Sequence, residues 1–286
     1  HSVGEYAGAC VAGVLSVADA MRIVTLRGRV MDQAPAGAMT TVPASEEVVR
    51  SLIGDALDIA ALNAPEASVV SGTTEAIEAL EQRLLGTDHE CKRIRIDVAA
   101  HSRVLDGQLE AFRQGFAGVR FQPPRIQMVS SLRGGMGQGD DFASADYWVR
   151  HLRNTVRFTQ AVGVALQKGN RIVLEVGPGQ SLGPLVQMAK AAHKAKAVVY
   201  SARKPNEAAD DFGVFLTAFG ALWTHGVAID WSKLPSGGRR VSLPTYGFEK
   251  QRHWIEPGKG VISVDAATGE KKVAIERLPE LDQWFE

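Results

Sequence analysis

The sequence predicts an α/β protein. A doubly wound, mostly parallel sheet receives a small ferredoxin-like α+β insert and is followed by an extended segment. Three observations carry this. From residue 126 onward, short apolar runs alternate with turns and helical patterns, and "RIVLEVG" (171–177) is apolar almost without a break, as in a buried parallel strand. Between residues 37 and 97 the patterns run strand, helix, strand, strand, helix, strand, the order of a split βαβ unit. After Gly226 the periodicity gives way to aromatics, Pro and Gly.

Each element has a local reason. Gly4 to Gly13 is rich in Ala and Gly at helical spacing, so this helix can pack very close to its neighbours. Ser16, with Asp19 three residues on, starts a second helix that ends before Pro35. In the insert, "GAMTTV" (37–42) reads as a strand and Ser45 to Ile53 as a helix. "LDIAALN" (57–63) and "ASVVSG" (67–72) read as strands joined at Pro65. Thr73 to Leu85 is an amphipathic helix with Ile77, Leu80, Leu84 and Leu85 on one face, and "KRIRID" (92–97) alternates as a half-buried strand. Beyond the insert come a helix (Arg103 to Gly118), a strand (126–132), a Gly-rich loop and a helix in two pieces within "ADYWVRHLRNTVRF". "PGQS" then turns the strand at 171–177 into a helix near Ser181. A strand at 196–201 and a long apolar helix, Asp210 to His225, follow. The implied boundaries are 1–35 with 97–225 for the large part, 36–96 for the insert, and 226–286 for the trailing linker.

Composition narrows the class. The 286 residues suit one large domain, or a medium one with an insert and a tail, and 45% hydrophobic with 22% charged is ordinary for a soluble globular chain. Lys+Arg and Asp+Glu are equal at 32, so there is no global attraction to nucleic acid or an anionic membrane. No apolar run approaches the roughly 18 residues of a membrane span. Cys10 and Cys91 are far apart and lack CxxC or Cys/His spacing, which argues against a disulfide framework or a metal site and for a reducing cytoplasm. There is no signal peptide and no initiator Met, and the chain starts inside an apparent motif. It is therefore expected to be a piece of something longer.

Three residues could carry chemistry. Ser2 lies in H-S-V-G, the end of a G-x-S-x-G pattern, where glycines let a strand turn sharply into a helix and leave Oγ exposed at its N-terminus. Ser2 and Glu5 also fit an S-x-x-E capping box, the ordinary explanation for such a pair. His101, in "RIDVAAHSRVL", stands at a strand end where the chain leaves the insert, a position suited to a base or to a surface histidine. Arg27 lies on the second helix beside Ile23, Val24 and Val30, with Gly28 next to it to admit a backbone or ligand. Its guanidinium could fork onto a carboxylate or snorkel, a role better suited to Arg29. "EVGPGQS" (175–181) lacks the P-loop Lys-Ser/Thr and G-x-G-x-x-G, and reads as a tight turn; the Gly134–Gly139 loop reads as flexible surface.

Together, "HSVGEY", "LRGRVM" followed by "PAGAM", "LNAPEASVVSG", "AAHS", "DYWVRHLRNTVRF", "LEVGPGQSL" and "VSLPTYGFEKQRHW" resemble the acyltransferase domain of modular type I polyketide synthases. These domains are kin of the malonyl-CoA:acyl carrier protein transacylases. The resemblance covers about residues 1–256, with the motifs in the family's order. It implies an α/β-hydrolase-like large subdomain with a ferredoxin-like insert. It also implies that Ser2 attacks an acyl-CoA thioester, that His101 takes its proton and returns it to the leaving thiol, and that the acyl group waits on Ser2 as an ester. That group then passes to the phosphopantetheine thiol of an acyl carrier protein. The Val3 N–H and an upstream Gln would form the oxyanion hole, and Arg27 would pair with the free carboxylate of a malonyl-type unit. No cofactor bound by the domain itself is implied. The segment 226–256 resembles the linker that packs back toward a ketosynthase, and "LPELDQWFE" the lead-in to a processing domain.

This sequence departs from the family pattern twice. The segment with the Gln, the first elbow Gly and the strand feeding it would precede residue 1. Where malonyl types often carry His-Ala-Phe-His and methylmalonyl types Tyr-Ala-Ser-His, this chain has Val98, Ala99, Ala100 and His101. Ala100 leaves room for a C2 branch, whereas Val3 resembles malonyl members, and the balance leans to malonyl. Two other functions share these residues. One is an editing hydrolase using Ser2 and His101 with water as acceptor, and the other is a non-catalytic scaffold fragment.

Overall fold

A computed structural model describes residues 1–138, 141–189, 191, 194–234, 241–249, 261–264 and 267–274. The chain divides into two units, His1–Asp230 and Trp231–Glu286. "LPELDQWFE" and 250–256 of the linker lie outside the described residues.

The first unit opens with helix α1 (Gly4–Val11) and helix α2 (Val17–Asp32). Ser16 caps α2 as its sequence predicts, accepting from the Asp19 N–H. Buried Tyr6, Ala9, Ile23 and Val30 on these helices pack with Phe112, Trp148 and Leu152 into the main core.

The insert then forms strand β1 (Gly37–Val42), helix α3 (Glu46–Ile53), strands β2 (Asp58–Ala64) and β3 (Ala67–Thr73), helix α4 (Thr74–Leu84) and strand β4 (Lys92–Ile94). The sheet order is β2-β3-β1-β4 with every neighbouring pair antiparallel. This is the split βαβ arrangement that the pattern of residues 37–97 predicts. Ser45 and Thr73 cap the two helices. Val49, Ile59, Val70, Ile77 and Leu80 form the core of the small subdomain. Leu85, expected on the buried face of α4, is 63% exposed, because the helix ends at Leu84 and the chain turns to φ −59°, ψ 129°.

After the insert, residues 103–108 form a 3₁₀ turn and α5 spans Leu109–Gln114. The strand expected at 126–132 is only β5 (Val129–Ser130), paired with β6 (Gly135–Met136). Pro123 and Pro124, which lack N–H donors, precede it, and Gly134, at φ 68°, turns the chain after it. Helix α6 (Ala145–Arg153) and helix α7 (Phe158–Ala165) follow.

Strand β7 (Arg171–Glu175), helix α8 (Leu182–Met188) and strand β8 (Ala195–Tyr200) make a β-α-β step in which β7 and β8 run parallel. Helix α9 (Asp211–Thr224) comes last in this unit. Among the described residues the parallel sheet is this pair alone. The run expected to be fully buried is therefore partly open, with Leu174 38% and Val176 78% exposed.

The second unit has a 3₁₀ turn at Trp231–Lys233, no regular structure in 241–249, and an antiparallel pair, β9 (Val261–Val264) with β10 (Lys271–Ala274). No helix among the described residues is long and apolar enough to cross a membrane.

Candidate active site

Ser2 stands just ahead of α1 at φ 44°, a left-handed backbone that costs a non-glycine residue roughly 1–3 kcal/mol. His101 shares this departure at φ 58°. Both strained residues meet: Ser2 Oγ lies 2.8 Å from His101 Nε2, across 99 positions of sequence. His101 Nδ1–H donates to the Asn154 carbonyl at 2.9 Å, which leaves Nε2 as the acceptor that faces the serine hydroxyl. Asn154 is the residue that closes α6, so the helix end, with its partial negative charge, orients the imidazole.

Asn154 is held from two sides. Its own N–H and side chain donate to Arg150 O. The following residues pair with the edge of the small subdomain's sheet: Val156 N–H donates to Ala60 O at 2.9 Å, Leu62 N–H to Val156 O at 2.8 Å, and Thr155 Oγ1 to Ile59 O at 2.7 Å. The site therefore lies on the seam between the two subdomains.

Arg27 approaches from α2 and donates from Nη2 to Ser2 Oγ at 3.0 Å. Its Nε is buried without a hydrogen-bond partner among the described residues. A half-buried cation with a spare, buried Nε–H beside a serine hydroxyl suits a carboxylate ligand. Burial lowers its pKa, and the Tyr6 hydroxyl opposes that shift. A Cβ at Gly28 would meet nothing within 4 Å, so none of the described residues makes the close approach that the glycine was expected to admit.

His101 is 4% exposed. Burial pushes its pKa down to about 3, and His151 and Arg27 push the same way against the hydrogen bonds to Asn154 and His151. It is a neutral imidazole across the physiological range. Val3 is the residue immediately before α1, at its N-cap position, and is 47% exposed. Val98 is partly buried, and Ala99 is fully buried against the start of β1: a Cβ at Gly37 would stand 2.5 Å from that of Ala99. Ala100 joins Met39, Ala61, Val69 and Val156 in a buried cluster at the seam.

Four features lie beyond the sequence reading. Ser2 and Glu5 do not form a capping box; Ser2 turns to His101, and Glu5 is buried against Ser131, Tyr147 and His151. Burial opposes its ionisation, but bonds from His151, Ser131 and Tyr147 win and hold its pKa at about 2. The base's partner is a backbone carbonyl, which no side-chain pattern announces. His1 Nε2 lies 2.7 Å from Asn63 Oδ1 of the insert. In "EVGPGQS" the Glu175 carboxylate accepts from the N–H groups of Ser181, Leu182 and Gly183, so the place an anion would take at α8 is already filled. A cavity of about 300 Å³ lined by Gly8, Met128, Phe158 and Val162 lies beside α1, but Ser2, His101 and Arg27 do not line it. Cys10 and Cys91 are free thiols. No group of three or more His, Cys, Asp or Glu among the described residues is placed to hold a metal ion.

The family model for the acyl transferase domain matches residues 1–227. The chain is 40% identical to polyketide synthase GfsA of Streptomyces halstedii over 262 residues, 90% of this chain and 4% of that protein. It is 35% identical to the mycoketide-CoA synthase of Mycobacterium tuberculosis over 270 residues, 94% of this chain and 6% of that protein. It thus spans only a small part of either relative. Among solved structures, the acyltransferase domain from the second module of the salinomycin polyketide synthase superposes with a TM-score of 0.76 at 35% identity, covering 87% of this chain and 59% of that one. The acyl transferase domain of SpnD, solved in complex with 2-(pent-4-yn-1-yl)malonyl, gives 0.75 at 34% identity, covering 79% and 55%.

Proposed function

The chain belongs to the acyl transferase domain family of polyketide synthases, and from that premise we propose that it loads a malonyl-type unit from CoA onto an acyl carrier protein. Ser2 Oγ gives its proton to His101 Nε2 and attacks the thioester carbonyl. The tetrahedral oxyanion forms beside the Val3 N–H at the start of α1, where the helix dipole favours negative charge. His101 then protonates the departing CoA thiolate, leaving an acyl ester on Ser2. In the second half the phosphopantetheine thiol gives its proton to His101, attacks the ester, and Ser2 regains its proton. Arg27 holds the free carboxylate throughout.

The observation that carries this reading is the convergence of Arg27 Nη2 and His101 Nε2 on one hydroxyl, at 3.0 and 2.8 Å. A base alone would serve a hydrolase equally well. A half-buried guanidinium beside it, its Nε–H without a partner among the described residues, favours an acyl group with a carboxylate, the class of ligand named for the SpnD domain. The small side chain of Ala100 leaves room at C2, Val3 favours the unbranched unit, and malonyl is the extender we assign. The likeness to polyketide synthases supports assigning a carrier-protein thiol as acceptor, ketosynthase and processing domains as neighbours, and a cytoplasmic setting.

Intact-protein mass after incubation with malonyl-CoA and methylmalonyl-CoA tests the reading. A malonyl adduct on Ser2, absent in Ser2→Ala and discharged by carrier protein, is expected. An adduct that persists in Ser2→Ala, or CoA release that ignores the carrier, contradicts it.

A further inference from the structure

The nucleophile and the carbonyl that orients its base belong to two helices, and one buried carboxylate ties those helices together. Glu5 stands in the first turn of α1, three residues past Ser2, and is 7% exposed. Its Oε2 accepts from the Ser131 N–H at 3.0 Å and from Ser131 Oγ, and its Oε1 accepts from the Tyr147 hydroxyl. His151 Nε2 lies 3.5 Å from the same carboxylate. Tyr147 and His151 are four residues apart on α6 and so share one face of it. Three residues beyond His151, Asn154 closes α6 with the carbonyl that receives His101 Nδ1–H. Where α6 sits against α1 therefore decides where the imidazole is held relative to Ser2 Oγ.

A carboxylate this deep is tolerated only with its donors in place. Glu5 has them, and each comes from α6 or from the loop packed against it. The two ring nitrogens of His101 meet a hydroxyl and a backbone carbonyl rather than a carboxylate, so its orientation depends on the position of a helix end.

We propose that Glu5 is a positioning residue for the Ser2–His101 pair: through Tyr147, His151 and Ser131 it fixes α6 against α1 and so sets where the Asn154 carbonyl holds the base. The proposal rests on the reading of Ser2 as nucleophile and His101 as base. It assigns Glu5 no contact with substrate.

Glu5→Gln is the informative change. An amide keeps the size but removes the charge and leaves one acceptor oxygen for the Ser131 N–H, the Ser131 hydroxyl and the Tyr147 hydroxyl, so the charge-assisted bonds that hold α6 to α1 are weakened. The test follows the His101 Nδ1 proton by ¹H–¹⁵N spectroscopy in the full chain, together with the saturating rate and KM of Ser2 acylation by malonyl-CoA. The Nδ1 proton should move or broaden, and the saturating rate should fall roughly 10- to 100-fold, the scale of a misplacement of about 1 Å, with KM changed less than about twofold. A folded Glu5→Gln with the wild-type proton signal and rate overturns the proposal, as does a loss confined to KM. If Glu5→Gln does not fold, Tyr147→Phe, which removes a single bond of the tether, carries the same test with a smaller shift expected and none overturning it. Should wild-type Ser2 take up no acyl group, the proposed function falls, and the His101 proton still decides the tether.

Discussion

The small subdomain and the seam that holds Ser2 are built on opposite plans. The small subdomain draws its sheet and helices from one continuous stretch, Gly37 to Ile94. Its core is an apolar cluster centred on Val49, Val70, Ile77 and Leu80, the hydrogen bonds of Ser45 and Thr73 are local caps, and the buried Ser68 hydroxyl bonds within the same stretch, to Ala44 O. The seam gathers Ser2, Arg27, His101 and Asn154 from four separate segments, and what joins these four is hydrogen bonding. The contrast separates two kinds of damage. Losing apolar volume in the small subdomain should cost stability and spare the chemistry of whatever remains folded. Losing a polar partner in the seam should cost chemistry and leave the fold standing.

The largest expected effect breaks the seam. His101→Ala removes the proposed general base, and Ser2 acylation should slow by roughly 10²- to 10⁴-fold, measured as adduct formation against time. Circular dichroism and the unfolding midpoint should change little by comparison. A variant that unfolds would erase the proposed separation.

The next effect falls on the other side. Leu80 is 1% exposed in the small core, and Leu80→Ala should destabilise by about 2–5 kcal/mol in urea unfolding. Below the unfolding midpoint, the acylation rate per folded molecule should match wild type. A fall in that rate in proportion to the lost stability would show that the seam and the small core are one cooperative device.

The smallest effect sharpens the comparison. Because burial lowers the His101 pKa to about 3 from the usual 6.5, the base is already unprotonated at neutral pH. The acylation rate should therefore stay nearly flat between pH 7.5 and about 5.5, with its acid limb displaced below 6.5. Stability should behave differently. Between pH 6.5 and about 3 the unfolded chain takes up a proton that the folded site refuses, so His101 makes the fold progressively less stable on acidification. Glu5 adds a loss in the same direction, between its usual 4.5 and about 2. An acid limb in the rate at 6.5 or above would contradict a buried, neutral His101.

The same contrast explains what is legible in the sequence. The insert can be read element by element because strand periodicity, amphipathic spacing and helix caps are local; the misses fall at ends, where Leu85 lies one residue past its helix and the strand read over 92–97 stops at Ile94, with 95–97 exposed. Ser2, Arg27 and His101 can be picked out because they sit in short motifs that, taken together, carry the family resemblance, and the structure brings their side chains within hydrogen-bond distance. Asn154 escapes because it acts through a carbonyl that every residue possesses. Glu5 reads as a feature of the helix start, since S-x-x-E describes a capping box equally well. The available signal is indirect: an acid in a helix of small residues, and Tyr147 with His151 on one face of the aromatic-rich "DYWVRHL". The strand at 126–132 is overread, because its apolar run says nothing of whether neighbouring strands pair along it.

The central claim is that the seam is a carboxylate-selective acyl-transfer centre, and Arg27 tests it most directly. The measurement is the rate of Ser2 acylation from malonyl-CoA and from acetyl-CoA, in wild type and in Arg27→Ala. Loss of a charge-assisted pair of about 1.5–3 kcal/mol should slow malonyl transfer roughly 10- to 150-fold. Acetyl transfer should change far less, so that the preference for the carboxylated unit collapses. Equal losses on both thioesters, or undiminished malonyl transfer, would contradict the account.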